Sequence, residues 1–224
     1  MNDKTYILEG SNRELAISHK LAYLVIKRTF DIIIGLIGTI LLLPLAFIIK
    51  LAYMFTGDYA PIIYKHKRIG YNGQPIYIYK FRSMVSNADE MLKELLKDDE
   101  LRKEWEANQK LDNDPRITKV GKIIRHASID ETPQFINLLK GDMSLVGPRP
   151  LVEGELDAHK GNHEIYESVK PGITGWWACN GRSVLDYKKR LELEYFYVEN
   201  ACISLDIKCI FKTIQAVLNK DGAK

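Results

Sequence analysis

The chain has 224 residues, of which 46% are hydrophobic and 27% are charged, a composition typical of one globular domain with a real core. Its formal net charge of +3 is too small to indicate nucleic-acid binding by itself. The 3 cysteines, Cys179, Cys202 and Cys209, are scattered and odd in number. This pattern excludes a zinc-ligand spacing and a disulfide framework, and it favours a reducing compartment.

The N-terminal part of the chain contains a predicted membrane segment. Residues 1–22 form a polar lead-in that we expect to be loose or weakly helical, and residues 23–57 contain an uncharged apolar run at 32–49. At about 1.5 Å per residue, a helix of that length just reaches the roughly 30 Å thickness of a hydrocarbon core. The run starts too far into the chain, and lacks the small-residue cleavage site, to be a secretory signal peptide.

Pro44 lies inside the apolar run, and we predict that the helix kinks or breaks there, because proline removes a backbone donor and clashes with the preceding turn. Basic residues flank the run on both sides, which gives no positive-inside bias. They are Arg13, Lys20, Lys27 and Arg28 before it, and Lys50, Lys65, Lys67 and Arg68 after it. The residues alone leave two topologies open, a re-entrant hairpin with both ends on the cytoplasmic face and a kinked spanning helix. A core helix is disfavoured because the run has no polar face.

A β-hairpin is predicted after the membrane segment. Two stretches rich in isoleucine and tyrosine, 62–69 and 75–81, flank the dipeptide Asn72-Gly73, which is a strong turn signal. The highly charged stretch at 87–109 predicts a single surface helix with a solvated face.

Two short helices are predicted next. Thr118 is expected to cap a helix that ends near Arg125, and a second helix is expected over about 130–140, ending at Gly141. The stretch at 170–182 holds several glycines and a proline, so it predicts a structured loop.

The C-terminal region predicts helices over 184–200 and about 205–219, the second of them amphipathic. Its apolar face is formed by Ile203, Ile207, Ile210, Phe211, Ile214, Val217 and Leu218, and its polar face by Asp206, Lys208, Lys212 and Gln215. One interpretation is a helix packed on the core of its own domain. The other is an interfacial helix that lies on the bilayer with its lysines toward lipid headgroups.

Two adjacent carboxylates, Asp130 and Glu131, stand at the predicted start of the second short helix. Ser128 and Glu131 fit a capping box, which needs no catalytic role. That pattern does not account for Asp130, or for the arginines at Arg125 and Arg149.

These residues together suit phosphoryl transfer. The positive end of a helix dipole favours an ionised carboxylate, and an ionised aspartate can attack phosphorus. Glu131 can hold Mg²⁺, which binds few carboxylates plus substrate phosphates. Arg125 and Arg149 can grip phosphate in a bidentate manner. Lys80 and Arg82 could add positive charge, although a solvated strand edge explains them equally well.

Over roughly residues 25–219 the chain resembles the bacterial sugar transferase family, the monotopic polyprenol-phosphate phosphoglycosyl transferases. The resemblance is carried by K-R-T-F-D at 27–31, Y-K-F-R-S-M at 79–84, the segment 125–150, K-P-G-I-T-G-W at 170–176 and N-G-R at 180–182. It implies a re-entrant helix broken at Pro44, with both ends on the cytoplasmic face.

The resemblance also implies a reaction and its residues. Asp130 would attack the β-phosphate of a UDP-sugar, so that UMP leaves and a covalent sugar-phosphoryl-aspartate forms. A polyprenyl phosphate, such as undecaprenyl phosphate, would then take the phosphosugar, in the first membrane step of surface glycan synthesis. Glu131, with Asp130, would hold Mg²⁺. Arg125 and Arg149 match basic residues near the phosphates, to which Lys80 and Arg82 would add charge. Asn180 and Arg182 match the loop near the nucleotide.

The chain departs from the family pattern in three places, the first of which is a charged insert at 87–110 that is longer than in the shortest members. Leu43 precedes Pro44, where many short members carry serine, so a hydroxyl that could bond the freed backbone is missing. Trp177, Ala178 and Cys179 replace the usual residues of the loop near the nucleotide, which bears on the shape of the nucleotide-sugar pocket.

We therefore predict an α/β, mostly α-helical enzyme on the inner face of the cytoplasmic membrane. It would comprise a lead-in at 1–22, a re-entrant helix at 23–57 and a cytosolic catalytic domain at 58–224 with a small hairpin and interfacial helices. Its partners would be a UDP-sugar, the polyprenyl phosphate and membrane lipid, with no nucleic acid; self-association stays open. The alternatives are a glycosyltransferase that releases UDP and a non-catalytic membrane adaptor of glycan assembly.

Overall fold

The computed structural model describes the backbone of residues 3–108, 111–181 and 185–218, and the side chains within 20–105, 111–181 and 185–216. The elements in chain order are α1 Asp3–Phe55, β1 Ile63–Ile69, β2 Pro75–Phe81, α2 Ala88–Leu95, α3 Asp99–Asn108, α4 Lys119–His126, α5 Gln134–Lys140, β3 Ser144–Val146, α6 Glu155–Ala158, α7 His163–Tyr166, β4 Gly172–Thr174, α8 Tyr187–Asn200 and α9 Ile203–Leu218. Two short 3₁₀ turns cover Tyr71–Gly73 and Ile129–Glu131.

The predicted fold class is confirmed in its coarse form, a mostly helical chain with a small hairpin. Strands β1 and β2 form a two-stranded sheet, and Asn72 lies in the turn between them with a positive φ of 53°. Strands β3 and β4 form a second sheet and pair in parallel, with Ser144 opposite Gly172 and Val146 opposite Thr174. This parallel pair was not predicted, because β4 lies in the stretch that we expected to be a loop.

The contacts within the chain divide it into two compact units. Unit 1 comprises the residues up to 37, residues 67–77 and the residues from 135 onward. Unit 2 comprises residues 38–66 and 78–134. We describe each unit by itself.

The long helix α1 continues through Pro44, so the helix does not end at that residue. A kink there, and with it the re-entrant arrangement, stays a prediction. A proline removes a single backbone donor, and the leucines before it are strong helix formers. The part of α1 from Lys20 to Phe55 is long and apolar enough to cross a membrane, by length and composition alone. Only 22% of its most apolar window is buried, which disfavours a core helix. Helix α1 begins at Asp3, so it also covers most of the predicted lead-in.

Lys27 joins α1 to α8 and α9 within unit 1. Its Nζ atom donates hydrogen bonds to Asp206 Oδ2 at 2.7 Å and to Tyr197 Oη at 3.1 Å. Tyr197 in turn donates to Asp206 Oδ1 at 2.6 Å, and Tyr23 donates to Asp206 Oδ2 at 3.1 Å. This part-buried network attaches the apolar helix to unit 1 through polar side chains.

Arg28 and Asp31 attach the same turns of α1 to α5 and β3. The Arg28 guanidinium donates to the carbonyl oxygens of Leu138 at 2.5 Å and Leu139 at 2.9 Å, where a cation also interacts favourably with the helix dipole. The buried Asp31 carboxylate accepts the Leu145 N–H at 2.7 Å. The K-R-T-F-D motif is therefore a set of anchoring residues for α1.

The charged stretch at 87–109 forms two helices, so the prediction of a single helix is wrong. Helix α2 ends at Leu95, and α3 begins at Asp99. The Asp98 carboxylate accepts the N–H groups of Glu100 at 2.9 Å and Leu101 at 3.1 Å. Asp98 thus caps a new helix, and this local hydrogen bonding competes with continuation of the first.

The polar face predicted for α9 is wrong in one residue. Asp206 is buried and paired with Lys27, whereas we expected it to point away from the core. Leu205 and Cys209 are also buried. The exposed apolar side chains of the helix form a stripe, which we call the α9 stripe, of Ile203, Ile207, Phe211 and Ile214. The interpretation that α9 packs on the core of its own domain is therefore confirmed, although Leu205 and Cys209 make the contact and the stripe does not. The interfacial interpretation of the stripe stays a proposal.

Candidate active site

Unit 2 brings together four of the predicted site residues, namely Lys80, Arg125, Asp130 and Glu131. Lys80 Nζ donates to Glu131 Oε1 at 2.6 Å, and the Glu131 side chain remains half exposed. Lys80 lies on β2, Arg125 lies in the last turn of α4, and the two carboxylates lie in the 3₁₀ turn that follows α4.

The turn that carries the carboxylates differs from the predicted helix start. Ser128 has a left-handed backbone, with φ 54°, and among the described residues its side chain makes no capping hydrogen bond, so the capping-box prediction is wrong. Asp130 precedes α5 by several residues, because that helix starts only at Gln134. Thr132 closes the turn by donating its N–H and its hydroxyl to the Ile129 carbonyl oxygen at 3.1 and 2.8 Å.

The environment of Asp130 raises the pKa of its carboxyl group above the ordinary value. Burial is the main cause, and the neighbouring Glu131 charge adds to it, while Lys80 and Arg125 act in the opposite direction. The expectation that a helix dipole favours the ionised form is therefore wrong for this residue. A carboxylate that is poorly stabilised by its surroundings is a more basic, and so a more reactive, nucleophile.

Arg125 is placed by a close approach between α4 and the residues that follow β2. Thr118 caps α4 as predicted, because its side-chain oxygen accepts the Gly121 N–H at 2.8 Å. A Cβ atom at Gly121 would lie 1.9 Å from the Ser83 carbonyl oxygen, so only glycine fits. Arg125 Nε donates to Ser83 Oγ at 2.8 Å, which orients the exposed guanidinium.

Ser83 and Gly121 are positioning residues that sequence reasoning missed. A glycine inside a predicted helix pattern is the signal that could have found Gly121, since such a glycine often marks a close packing contact. No local pattern marks Ser83, because its contact with Arg125 joins residues far apart in sequence.

Arg82 is buried and is bonded within unit 2. Its guanidinium donates to the Pro61 carbonyl oxygen and to Asp58 Oδ2, both at 2.9 Å, and it lies 4.4 Å from the centroid of the Tyr53 ring. The hydrogen bond from Arg82 lowers the pKa of the Asp58 carboxyl group. These contacts favour a structural role, and phosphate binding by Arg82 stays a prediction.

Two of the predicted binding residues lie in unit 1, and a third lies outside the described residues. Arg149 is exposed, and its guanidinium lies 6.0 Å from the Trp177 ring centroid. Asn180 donates from Nδ2 to the Trp176 carbonyl oxygen at 2.6 Å and accepts a hydrogen bond from Lys212. Arg182 lies outside the described residues.

The residues present fit a magnesium ion that is shared with a substrate. Among the described residues there is no group of three histidine, cysteine, aspartate or glutamate side chains that could hold a metal by itself. Mg²⁺ is commonly bound by one or two carboxylates together with substrate phosphates and water. The adjacent carboxylates Asp130 and Glu131 provide that donor set.

Comparison with known proteins identifies the family. A model described as bacterial sugar transferase matches residues 22–220. The chain belongs to the bacterial sugar transferase family. The match includes α1 from its anchoring turns onward and both units, so the Asp130–Glu131 turn lies within the family's own region.

Several known proteins are similar to this chain. The undecaprenyl-phosphate galactose phosphotransferase of Salmonella typhimurium is 49% identical over 199 residues, which is 88% of this chain and 41% of that protein. The UDP-galactose-lipid carrier transferase of Erwinia amylovora is 43% identical over 225 residues, covering 99% of this chain and 47% of that protein. The exopolysaccharide production protein ExoY of Sinorhizobium fredii is 40% identical over 198 residues, covering 88% and 87%.

The chain thus spans less than half the length of the first two of these relatives and most of the length of ExoY. The similarity covers the stretch of this chain that contains Asp130, Glu131 and the Gly147–Pro150 segment.

Proposed function

We propose that this bacterial sugar transferase moves a phosphosugar from a UDP-sugar to a polyprenyl phosphate, such as undecaprenyl phosphate, and releases UMP. The observation that carries the proposal is the Asp130 carboxylate, half-buried with a raised pKa beside Glu131, Lys80 and Arg125. The names of two relatives, an undecaprenyl-phosphate phosphotransferase and a UDP-galactose-lipid carrier transferase, support the same donor and acceptor classes.

The proposed reaction has two steps at the β-phosphorus of the donor. In the first step an Asp130 oxygen forms a bond to that phosphorus, and the bond from phosphorus to the bridging oxygen breaks, so that UMP leaves with its electron pair. In the second step an oxygen of the polyprenyl phosphate attacks the same phosphorus. The bond to Asp130 breaks, the carboxylate is restored, and the product is a polyprenyl-diphosphate-sugar.

The other residues of the turn stabilise charge in this mechanism. Lys80 and Arg125 present cationic donors beside Asp130, where negative charge on phosphate oxygens would otherwise repel the attacking carboxylate. Asp130 and Glu131 would hold Mg²⁺, which when bound neutralises charge on phosphate oxygens. Lys80 also holds the Glu131 side chain in place.

We also propose that the protein sits on the inner face of the cytoplasmic membrane, with α1 bent at Pro44 into a re-entrant segment and the α9 stripe on the lipid surface. Apolar side chains of α1 that include Leu41, Leu43 and Phe47 are well exposed, as is Phe211 of α9. Single cysteines introduced near each end of the chain should both be protected from an impermeant thiol reagent in intact cells. Labelling of the N-terminal site alone would favour a spanning helix.

A product assay tests the reaction. The purified protein in a membrane mimetic, with Mg²⁺, undecaprenyl phosphate and a panel of UDP-sugars, should release UMP. UDP-galactose is the first donor to test, because two relatives are named for galactose. Release of UDP instead would indicate a glycosyltransferase that moves the sugar alone. Failure of every donor to yield either nucleotide would favour the non-catalytic adaptor.

A further inference from the structure

The backbone of the Gly147–Pro150 segment is held from several directions within unit 1. The Gly147 N–H donates to the Thr174 carbonyl oxygen at 2.8 Å, and the Pro148 carbonyl oxygen accepts the Gly172 N–H at 2.7 Å. A Cβ atom at Gly147 would lie 2.5 Å from the carbonyl oxygen of Lys170, so the segment packs directly on the backbone that leads into β4. The segment therefore has little freedom to shift.

Arg149 combines a fixed backbone with an exposed side chain. Its N–H donates to Glu194 Oε1 at 3.1 Å, and its carbonyl oxygen accepts the Tyr166 hydroxyl at 2.9 Å. Glu194 is 1% exposed and Tyr166 is 6% exposed, so both partners are core side chains. Within the part of the chain that the structure describes, the Arg149 guanidinium forms no hydrogen bond or ion pair with another side chain.

Glu194 is an unusual choice for a purely structural partner. Burial raises the pKa of its carboxyl group to about 7, although the Arg149 N–H and the charges of Arg190 and Arg149 act against that rise. Its Oε2 atom has no hydrogen-bond partner among the described residues. A neutral side chain would be easier to bury. Arg190 lies 4.7 Å from the centroid of the Trp177 ring, the same ring that the Arg149 guanidinium approaches.

We propose that Tyr166 and Glu194 are positioning residues for Arg149. They fix both backbone groups of Arg149, so that only side-chain freedom is lost when its guanidinium binds a phosphate group of the nucleotide-sugar. The inference rests on the proposed function for the identity of that ligand. An arginine whose backbone is already fixed binds phosphate more tightly, because less conformational entropy is lost on binding.

The kinetic test uses Tyr166→Phe, which removes one hydroxyl and keeps the ring in the core. We expect KM for the UDP-sugar to rise about five-fold, with kcat within about twofold, as for loss of one hydrogen bond. Glu194→Leu should act in the same direction, and Glu194→Gln should recover most of that loss, because the amide oxygen still accepts the Arg149 N–H. Tyr195→Phe is the matched control: this ring packs edge-on against Tyr166, and its hydroxyl accepts the Asn162 N–H.

A double-mutant cycle separates positioning from general structural damage. Arg149→Ala should raise KM by about 10- to 100-fold, as for loss of a charge-assisted contact. In the Arg149→Ala background, Tyr166→Phe should have no further effect on KM, because the group that it positions is gone. The inference is wrong if the two losses are fully additive, or if folded Tyr166→Phe and Tyr195→Phe proteins have the same KM as the wild type.

Calorimetric titration with inorganic pyrophosphate distinguishes failure of this inference from failure of the proposed function. If no UDP-sugar yields UMP but pyrophosphate binding weakens in Arg149→Ala and Tyr166→Phe and not in Tyr195→Phe, the positioning role stands and the proposed reaction fails. If UMP is released but neither KM nor pyrophosphate affinity changes in the Arg149→Ala protein, the reaction stands and the positioning role fails.

Discussion

The Asp130–Glu131 turn and the Gly147–Pro150 segment both carry predicted site residues, yet they are built in opposite ways. The turn begins with Ser128 in a left-handed backbone conformation, and burial disfavours the ionised form of the Asp130 carboxyl group. In the Gly147–Pro150 segment the backbone is bonded to core partners while the Arg149 side chain is exposed. A reacting group gains from being poorly stabilised, and a binding group gains from a rigid support.

The largest effect is expected at the reacting group. Asp130→Asn should lower UMP release by about 10³-fold or more, as for other nucleophiles. Thermal unfolding of the same variant should show equal or greater stability at neutral pH. Burial raises the folded-state pKa of Asp130, so its contribution to stability is present at pH below the unfolded value and is lost as pH rises through the folded value. Asparagine, which stays neutral, avoids that loss.

If Asp130→Asn lowers the unfolding temperature at neutral pH while activity is retained, Asp130 is neither a poorly stabilised carboxylate nor the nucleophile, and the contrast between the turn and the segment is wrong. The stability difference between the two proteins should also vanish near about pH 3, where the wild-type carboxyl is protonated in both states.

Gly121→Ala should disturb the support of Arg125. The added Cβ meets the Ser83 backbone at 1.9 Å, so we expect a loss of about 2 kcal/mol in the free energy of unfolding. Gly35→Ala is a matched control, because that helical glycine would bring its Cβ no closer than 3.0 Å to side-chain atoms. Urea denaturation of the two variants measures both losses. Equal losses would show that the close approach at Gly121 is easily relieved.

Lys80→Met should shift the acidic limb of the pH–rate profile. Lys80 lowers the pKa of Asp130, so its removal raises that pKa further, and ionised Asp130 is then lost at a higher pH as the solution is acidified. We also expect kcat/KM at the optimum to fall about tenfold, because a cation beside the phosphates is gone. Lys67→Met is the control, since its partner Glu153 is on the surface of unit 1. An unchanged acidic limb would contradict the assignment of that limb to Asp130.

The smallest effect is expected on the α9 stripe. Phe211→Ser removes a side chain that is 69% exposed, and we expect kcat/KM toward vesicle-bound undecaprenyl phosphate to fall about threefold through weaker lipid contact. A short, water-soluble acceptor should show no change. Gln215→Ser on the same helix controls for substitution at an exposed position. An equal loss with both acceptors would indicate damage to the fold and not to membrane contact.

Local sequence signals predicted the elements whose causes are local. The turn signal Asn72-Gly73 correctly predicted the hairpin, and Thr118 caps α4 as expected. Asp130, Glu131 and Arg125 were singled out by residue type and by their spacing around a predicted helix start, and Lys80 as a source of extra charge; unit 2 brings the four together.

The errors arose where distant residues decide the structure. Ser128 fits a capping box by spacing, but the end of α4 places it in a left-handed conformation. Arg82 was predicted among the phosphate ligands, and its bonds to Asp58 and Pro61 join residues far along the chain. Asp206 was predicted to face solvent, because its partner Lys27 lies on α1, far from Asp206 in the sequence. No local pattern reports such pairings.

The anchoring residues on α1 bear on how the protein could be produced without its apolar helix. A chain begun after residue 31 would leave the Asp206 carboxylate without Lys27, the carbonyl oxygens at the end of α5 without Arg28, and the Leu145 N–H without Asp31. A polar group that stays buried without a hydrogen-bond partner destabilises the folded state. A water-soluble version of unit 1 therefore has to keep residues 23–31 and replace the outward-facing apolar side chains further along the helix.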